Sequence, residues 1–147
     1  GMYALNSLRL EKGYRAWKGD LSTDYSALEC GLERFIKWDK PHFVGKQALE
    51  VEKQQGIKRR CVTMVVDVDE FDVPYMAPLW AGEQLVGEAS SGGYGYRVNA
   101  AIALGMVRSD WTAPGTKLEV EIYGQRYAAE VKEDQPLWDP DNQRLRS

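Results

Sequence analysis

Two carboxylates in the first thirty residues have unusual neighbours. Glu11 follows Leu5, Leu8 and Leu10, an apolar run in which an isolated carboxylate is costly unless something satisfies it. Glu29 sits between Leu28 and Cys30. One reading makes each an ion-pair partner, with Arg9 and Arg15 available locally. The other makes a buried carboxylate the grip for a ligand edge that carries adjacent N–H donors, because a carboxylate accepts two such bonds at once. A pterin ring has such an edge, an amino group beside a ring N–H, shaped like one side of a guanidinium.

Other reactive residue types offer less. Cys30 and Cys61 make no disulfide framework in a chain of 147 residues and read as buried, reduced thiols of a reducing compartment. His42 is the single histidine, beside Pro41 and Phe43, and no nucleophile motif surrounds it. With two scattered cysteines and one histidine there is no metal-ligand spacing. The stretch Ser90-Ser91-Gly92-Gly93-Tyr94-Gly95-Tyr96 resembles a phosphate loop only superficially. It lacks a third glycine at the right spacing, and no Lys-Ser or Lys-Thr follows. It reads as a strand-to-loop corner where glycine supplies unusual backbone angles, or as a surface where Ser91 and Tyr94 line a planar ligand. Trp17, Trp38, Trp80, Trp111 and Trp138 suit core packing with the indole N–H bonded, or contact with a neighbouring domain.

The elements that must position these residues fall into two parts. Residues 2–12 read as a short helix, or a helix running into an extended end, with Gly13 as its stop. Residues 14–26 read as loop, and residues 27–38 are ambiguous. Pro41 introduces a helix over 44–55, with Val44, Ala48 and Val51 at i, i+4 and i+7 and Gly56 closing it. Beyond Gly56 the apolar period becomes two. Val62, Met64, Val66 and Val68 form one alternating set, Ile102, Leu104 and Met106 another. Leu118, Val120 and Ile122 are followed by Tyr127, Ala129 and Val131 across Gly124-Gln125, read as a tight hairpin with glycine at the first central position. Further turns are expected at 81–84 and at Pro114-Gly115. Five or six antiparallel strands suit a small barrel or sandwich.

Composition bounds the class. The hydrophobic fraction of 44% and charged fraction of 28% are ordinary for a globular chain. A net charge of −3 without a basic, aromatic-interleaved run argues against nucleic acid. No apolar stretch reaches the ~20 residues of a membrane span, and no signal-peptide pattern opens the chain.

Several segments together resemble the aminomethyltransferase family, which includes the glycine-cleavage T-protein and the C-terminal modules of dimethylglycine and sarcosine dehydrogenases and oxidases. They are "ALNSLRLEKGYRAWKGDL", "SALECGL", "HFVGKQAL" and "GEASSGGYGYRVNAAIALGMV", the last similar to the family's G-x-x-T-S-G stretch followed by ALGYV. The ending "QPLWDPDNQRLR" is most similar to the dehydrogenase branch. The resemblance runs in order over essentially the whole chain. It implies an α+β fold: a short helical and irregular remnant of the folate-binding domain over 1–56, then a six-stranded antiparallel Greek-key β-barrel over 57–147. It implies tetrahydrofolate as cofactor, capturing the one-carbon unit released from a methylamine substrate.

By the same resemblance Glu11, in the R-L-E motif, grips the pterin, with Tyr3 as a further match; Ser91 and Tyr94, read above as lining a planar ligand, complete the expected folate-binding set. Arg9 and Glu29 are left as structural ion-pair residues. The family's catalytic aspartate and the FAD-binding oxidase domain lie upstream of the matching region, so no residue here takes a catalytic role. Ala27 and Cys30 stand where the family has proline and alanine, which puts that turn in doubt. The expectation is a C-terminal fragment of a dimethylglycine or sarcosine dehydrogenase-like enzyme, inactive alone. The alternatives are a partner module that completes a folate site in trans with an oxidase chain or by self-association, and a T-protein-like transferase. The expected location is the cytoplasm of a bacterium or the mitochondrial matrix of a eukaryote.

Overall fold

A computed structural model describes residues 1–146. The first helix, α1, spans Met2–Glu11. It ends as a glycine-terminated helix should: Gly13 takes a left-handed φ of 64°, and the Tyr14 N–H donates to the Arg9 carbonyl at 2.8 Å. The buried face is Ser7, Leu10 and Glu11, whereas Leu5 and Leu8 are exposed. The following segment wraps the barrel with little regular structure beyond a 3-10 turn at Glu33–Phe35. The turn at 26–32 closes despite Ala27 and Cys30: the Cys30 N–H donates to the Ser26 carbonyl and the Leu32 N–H to the Ala27 carbonyl. Helix α2, Lys46–Gln55, starts two residues later than its apolar spacing suggests, because Gly45 takes φ 88° and leaves Val44 98% exposed outside the helix. None of its residues is buried, so the stripe formed by Ala48 and Val51 meets no core.

Six antiparallel strands close into a barrel: β1 Arg59–Val66, β2 Pro78–Ala81, β3 Gln84–Gly95, β4 Ala100–Arg108, β5 Lys117–Ile122 and β6 Gln125–Val131. Their order around the barrel is β1-β4-β3-β2-β5-β6, which needs two crossovers (β1 to β2 and β4 to β5) besides three hairpins. In the β5–β6 hairpin the loop residues are Tyr123 and Gly124, with φ 50° and 82°, so glycine takes the second central position rather than the first. Two positive φ values make this the hairpin turn whose twist matches the strands.

Two cores share the β1–β4 wall. The interior is filled by residues such as Met64, Leu79, Val86, Val107, Val120 and Val131. The outer face of the wall carries Cys61, Ile102, Leu104 and Met106, and these pack against Leu10 and Cys30 of the N-terminal segment. Strand β4 is therefore buried on both faces, small Ala101 and Ala103 inward and large Ile102, Leu104 and Met106 outward.

The glycines of β3 correct the corner reading. Gly92, Gly93 and Gly95 lie within the strand, and none has a left-handed φ. They are there for clearance. A Cβ on Gly92 would come 2.1 Å from the Val73 carbonyl oxygen. One on Gly93 would meet Asn6 Nδ2 at 2.8 Å and Leu10 at 2.9 Å, and one on Gly95 would meet Ile102 at 2.6 Å and Glu11 Cγ at 3.1 Å. Gly93 and Gly95 let α1 lie directly on the sheet, and Gly92 admits the β1–β2 crossover at Val73.

Candidate functional site

Where α1 crosses β3, a cavity of about 430 Å³ opens. Its walls include Tyr3 and Glu11 from α1, Tyr94 and Tyr96 from β3 and the turn after it, Arg97, and Asp72 from the β1–β2 crossover. A second hollow of about 480 Å³ shares Asp72, Tyr94 and Tyr96 with it. Three of the four expected ligand residues thus meet in one place.

Glu11 is 1% exposed. Its Oε1 accepts the Arg97 backbone N–H at 2.6 Å, while Oε2 takes no hydrogen bond from the described residues. Tyr94 is fixed at both ends. Its carbonyl accepts the Ser7 hydroxyl at 2.7 Å, and its own hydroxyl donates to Asn99 Oδ1 at 2.8 Å. Its ring meets Tyr96 edge-on at 5.1 Å. Tyr3 is 93% exposed on the rim. Ser91 lies apart from the cavity lining: its hydroxyl donates to Asp20 Oδ1 at 2.7 Å.

Asp20 lies in the segment 14–26 whose sequence reads as loop, with no local signal of a site. It is fully buried, and it collects four donors: Ser90 and Ser91 hydroxyls on Oδ1, the Ala16 N–H and the Arg9 guanidinium on Oδ2. Arg9 also grips Asn6 Oδ1, and Asn6 Nδ2 donates to the Gly92 carbonyl. This network pins α1 to β3 and so sets where Glu11 lies. Arg9 therefore pairs with Asp20, and Arg15 with Asp134; neither local arginine serves Glu11 or Glu29. Glu29 instead exchanges bonds with Ser26, Oε2 accepting the Ser26 N–H while the Glu29 N–H donates to Ser26 Oγ. That is a capping box, and its Oε1 adds an ion pair to Arg59 at 2.7 Å.

The thiols are poor nucleophiles. Burial pushes Cys61 up to about 12 and raises Cys30 as well, so both stay protonated at neutral pH. His42 is exposed in the loop before α2. Among the described residues no group of three or more His, Cys, Asp or Glu side chains is placed to hold a metal, and no helix is long and apolar enough to cross a membrane.

Residues 59–139 match the family described as the glycine cleavage T-protein C-terminal barrel domain, and residues 1–40 match the GCVT N-terminal domain. The chain belongs to the glycine cleavage T-protein C-terminal barrel family. Among curated relatives of this family member, mitochondrial dimethylglycine dehydrogenase of Mus musculus is 40% identical over 147 residues, covering 99% of the chain and 17% of the relative. Mitochondrial sarcosine dehydrogenase of Mus musculus is 35% identical over 155 residues, 99% of the chain and 16% of the relative. An aminomethyltransferase of Thermosynechococcus vestitus is 37% identical over 122 residues, 83% of the chain and 33% of the relative. The chain thus spans about a sixth of the dehydrogenases it matches. The crystal structure of glycine cleavage system aminomethyltransferase T from Bartonella henselae superposes with a TM-score of 0.86 at 26% identity, over 95% of this chain and 39% of that one. The α+β fold with its barrel is shared with that structure.

Proposed function

We propose that this barrel-family chain supplies one wall of a tetrahydrofolate site in an enzyme of the dimethylglycine or sarcosine dehydrogenase type, which demethylates methylated glycines oxidatively and passes the one-carbon unit to tetrahydrofolate. The carrying observation is Glu11: a buried carboxylate on a cavity wall, one oxygen held by a backbone N–H and the other without a donor among the described residues. Such a carboxylate is costly as a purely structural group, and it fits the paired N–H donors of a pterin edge because each oxygen has lone pairs to spare. Tetrahydrofolate supplies the acceptor for a one-carbon unit when bound. The residues here bind and orient: Glu11 fixes the pterin edge, and Tyr94 and Tyr3 offer ring faces to it. Ser91 acts at one remove, holding Asp20. No residue of the chain is assigned an acid–base role.

The test is binding by the chain itself. With only one wall present, dissociation is expected in the millimolar to high-micromolar range, on the order of −4 to −5.5 kcal/mol. Glu11→Gln places an amide donor against the pterin N–H groups and should cost about 1.5–3 kcal/mol, enough to remove detectable binding. Glu29→Gln should lower the melting temperature and leave binding in place. Ligand-observed NMR and calorimetry separate the two, and wild-type affinity in Glu11→Gln ends the assignment.

The second reading, a module that completes the site with another chain or a second copy, is favoured by the bare face of α1. Met2, Tyr3, Leu5 and Leu8 are all exposed on one short helix. Patches of this kind seek cover. Sedimentation is expected to show concentration-dependent association, and a strict monomer that binds no apolar dye would remove this reading.

A further inference from the structure

Glu11 is held from two sides by residues far from it in the chain. Its Oε1 accepts the backbone N–H of Arg97, and its carbonyl accepts the backbone N–H of Trp138 at 3.1 Å. Those two partners also meet each other: the Arg97 guanidinium carbon lies 4.0 Å from the centroid of the Trp138 ring. Three contacts therefore close a ring that joins the end of α1, the turn between β3 and β4, and the C-terminal strap. Lys12, the next residue after Glu11, fastens the strap. Its ammonium donates to the Trp138 and Asp139 carbonyls at 3.3 and 2.7 Å and to Asn142 Oδ1 at 2.8 Å.

Arg97 is exposed and has no carboxylate partner among the described residues. Its stacking on Trp138 is what fixes the guanidinium. The backbone at 97 belongs to a turn, between the end of β3 at Gly95 and the start of β4 at Ala100. The direction of its N–H sets the direction of the carboxylate that the cavity presents. We propose that Arg97 and Trp138 are positioning residues for Glu11, the cation–ring contact holding the turn so that the Arg97 N–H aims the carboxylate. The proposal rests on the folate reading of the cavity for its ligand, though not for its geometry.

The test uses the whole chain and two readouts. Ligand-observed NMR with tetrahydrofolate reads the site. The amide resonance of residue 97 and its hydrogen exchange, measured without ligand, read the clamp. Trp138→Leu and Arg97→Ala both keep the N–H at 97 and remove the ring contact. Each is expected to weaken tetrahydrofolate binding by about two- to fivefold, the factor a half-exposed cation–ring contact contributes. Each should also speed amide exchange at 97 by a similar factor, and Trp138→Leu should move the resonance upfield as its bond to Glu11 lengthens. Arg97→Lys and Trp138→Phe retain a cation over a ring and should restore most of both effects, which a merely structural role would not require. A folded Trp138→Leu with the amide at its wild-type position and exchange rate overturns the proposal, and so does weakened binding that neither conservative variant rescues. If the wild type binds no tetrahydrofolate while the amide responds as stated, the folate reading fails and the clamp stands. Should Trp138→Leu fail to fold, Arg97→Ala at its exposed position carries the same comparison.

Discussion

At the level of single residues, the cavity depends on a carboxylate that does not line it. Asp20 is fully buried, and its side chain has a donor at every face it presents to the protein. Asp20→Asn keeps the volume but turns an N–H₂ group toward donors and leaves the Arg9 charge without its partner. Breaking a buried pair typically costs about 3–5 kcal/mol. The Arg9 side chain is 16% exposed, so water recovers part of that loss and about 3 kcal/mol is expected. In a domain of this size that is on the order of 10 °C in melting temperature. Urea denaturation of Asp20→Asn checks it, and a loss below about 1 kcal/mol would mean that α1 is pinned by packing alone. Asp20 was not legible in the sequence for a physical reason. Its partners are Arg9, eleven residues before it, and Ser90 and Ser91, seventy residues after it, and no local period connects them. Glu11 was legible only in part: Leu10 beside it is buried as its apolar surroundings suggest, whereas Leu5 and Leu8 of the same run are exposed.

At the level of elements, the strands were legible wherever one face meets the barrel interior. Leu118, Val120 and Ile122 alternate with exposed or half-buried neighbours and form β5 as read. Helix α2 was legible by its glycine stop, but its apolar spacing promised a packed face that the structure lacks. The glycines of β3 misled because glycine marks both a turn and a close approach, and only the arrival of α1 tells them apart. The β5–β6 hairpin carries a testable charge device. Glu130 lies directly opposite Lys117 and bonds both Lys117 and Lys132. Hydrogen bonds from these two ammonium groups, with their charges, hold its carboxyl at about 2 instead of the usual 4.5. A depressed folded value means that the stabilisation is present above pH 4.5 and is lost as pH falls toward 2. Glu130→Gln should therefore show a shallower loss of stability across that window. The pair is solvent-exposed, so the difference from wild type should shrink in high salt. Urea midpoints measured from pH 5 to pH 2 at two ionic strengths read both effects, and superimposable acid limbs would remove the hairpin pair from the account.

At the level of the whole molecule, the question is whether residues 1–56 and the barrel are separable. Among the described residues the interior cluster holds seventeen that are buried, all from Val62 onward, and none of the N-terminal segment fills the barrel. The second cluster is smaller, with six buried residues, and it depends on Leu10 and Cys30 to cover Cys61, Ile102, Leu104 and Met106. Removing residues 1–56 bares that outer wall. Each large side chain that loses its cover forfeits roughly 1.5–3 kcal/mol, against a total domain stability of about 5–15 kcal/mol. The closed barrel has no open edge, and its three hairpins keep much of its pairing local. The expected outcome for a chain of residues 57–147 is a single cooperative melting transition at a clearly lower temperature, with apolar dye bound to the exposed β1–β4 wall. Arg97 should then lose its carboxylate acceptor, and its amide should exchange freely. Near- and far-ultraviolet circular dichroism followed through the melt decides the matter. If the far-ultraviolet signal survives while the near-ultraviolet signal is already lost before heating, the product is a loosely packed globule. The N-terminal segment would then be part of the folding unit, and the division near residue 57 would be wrong.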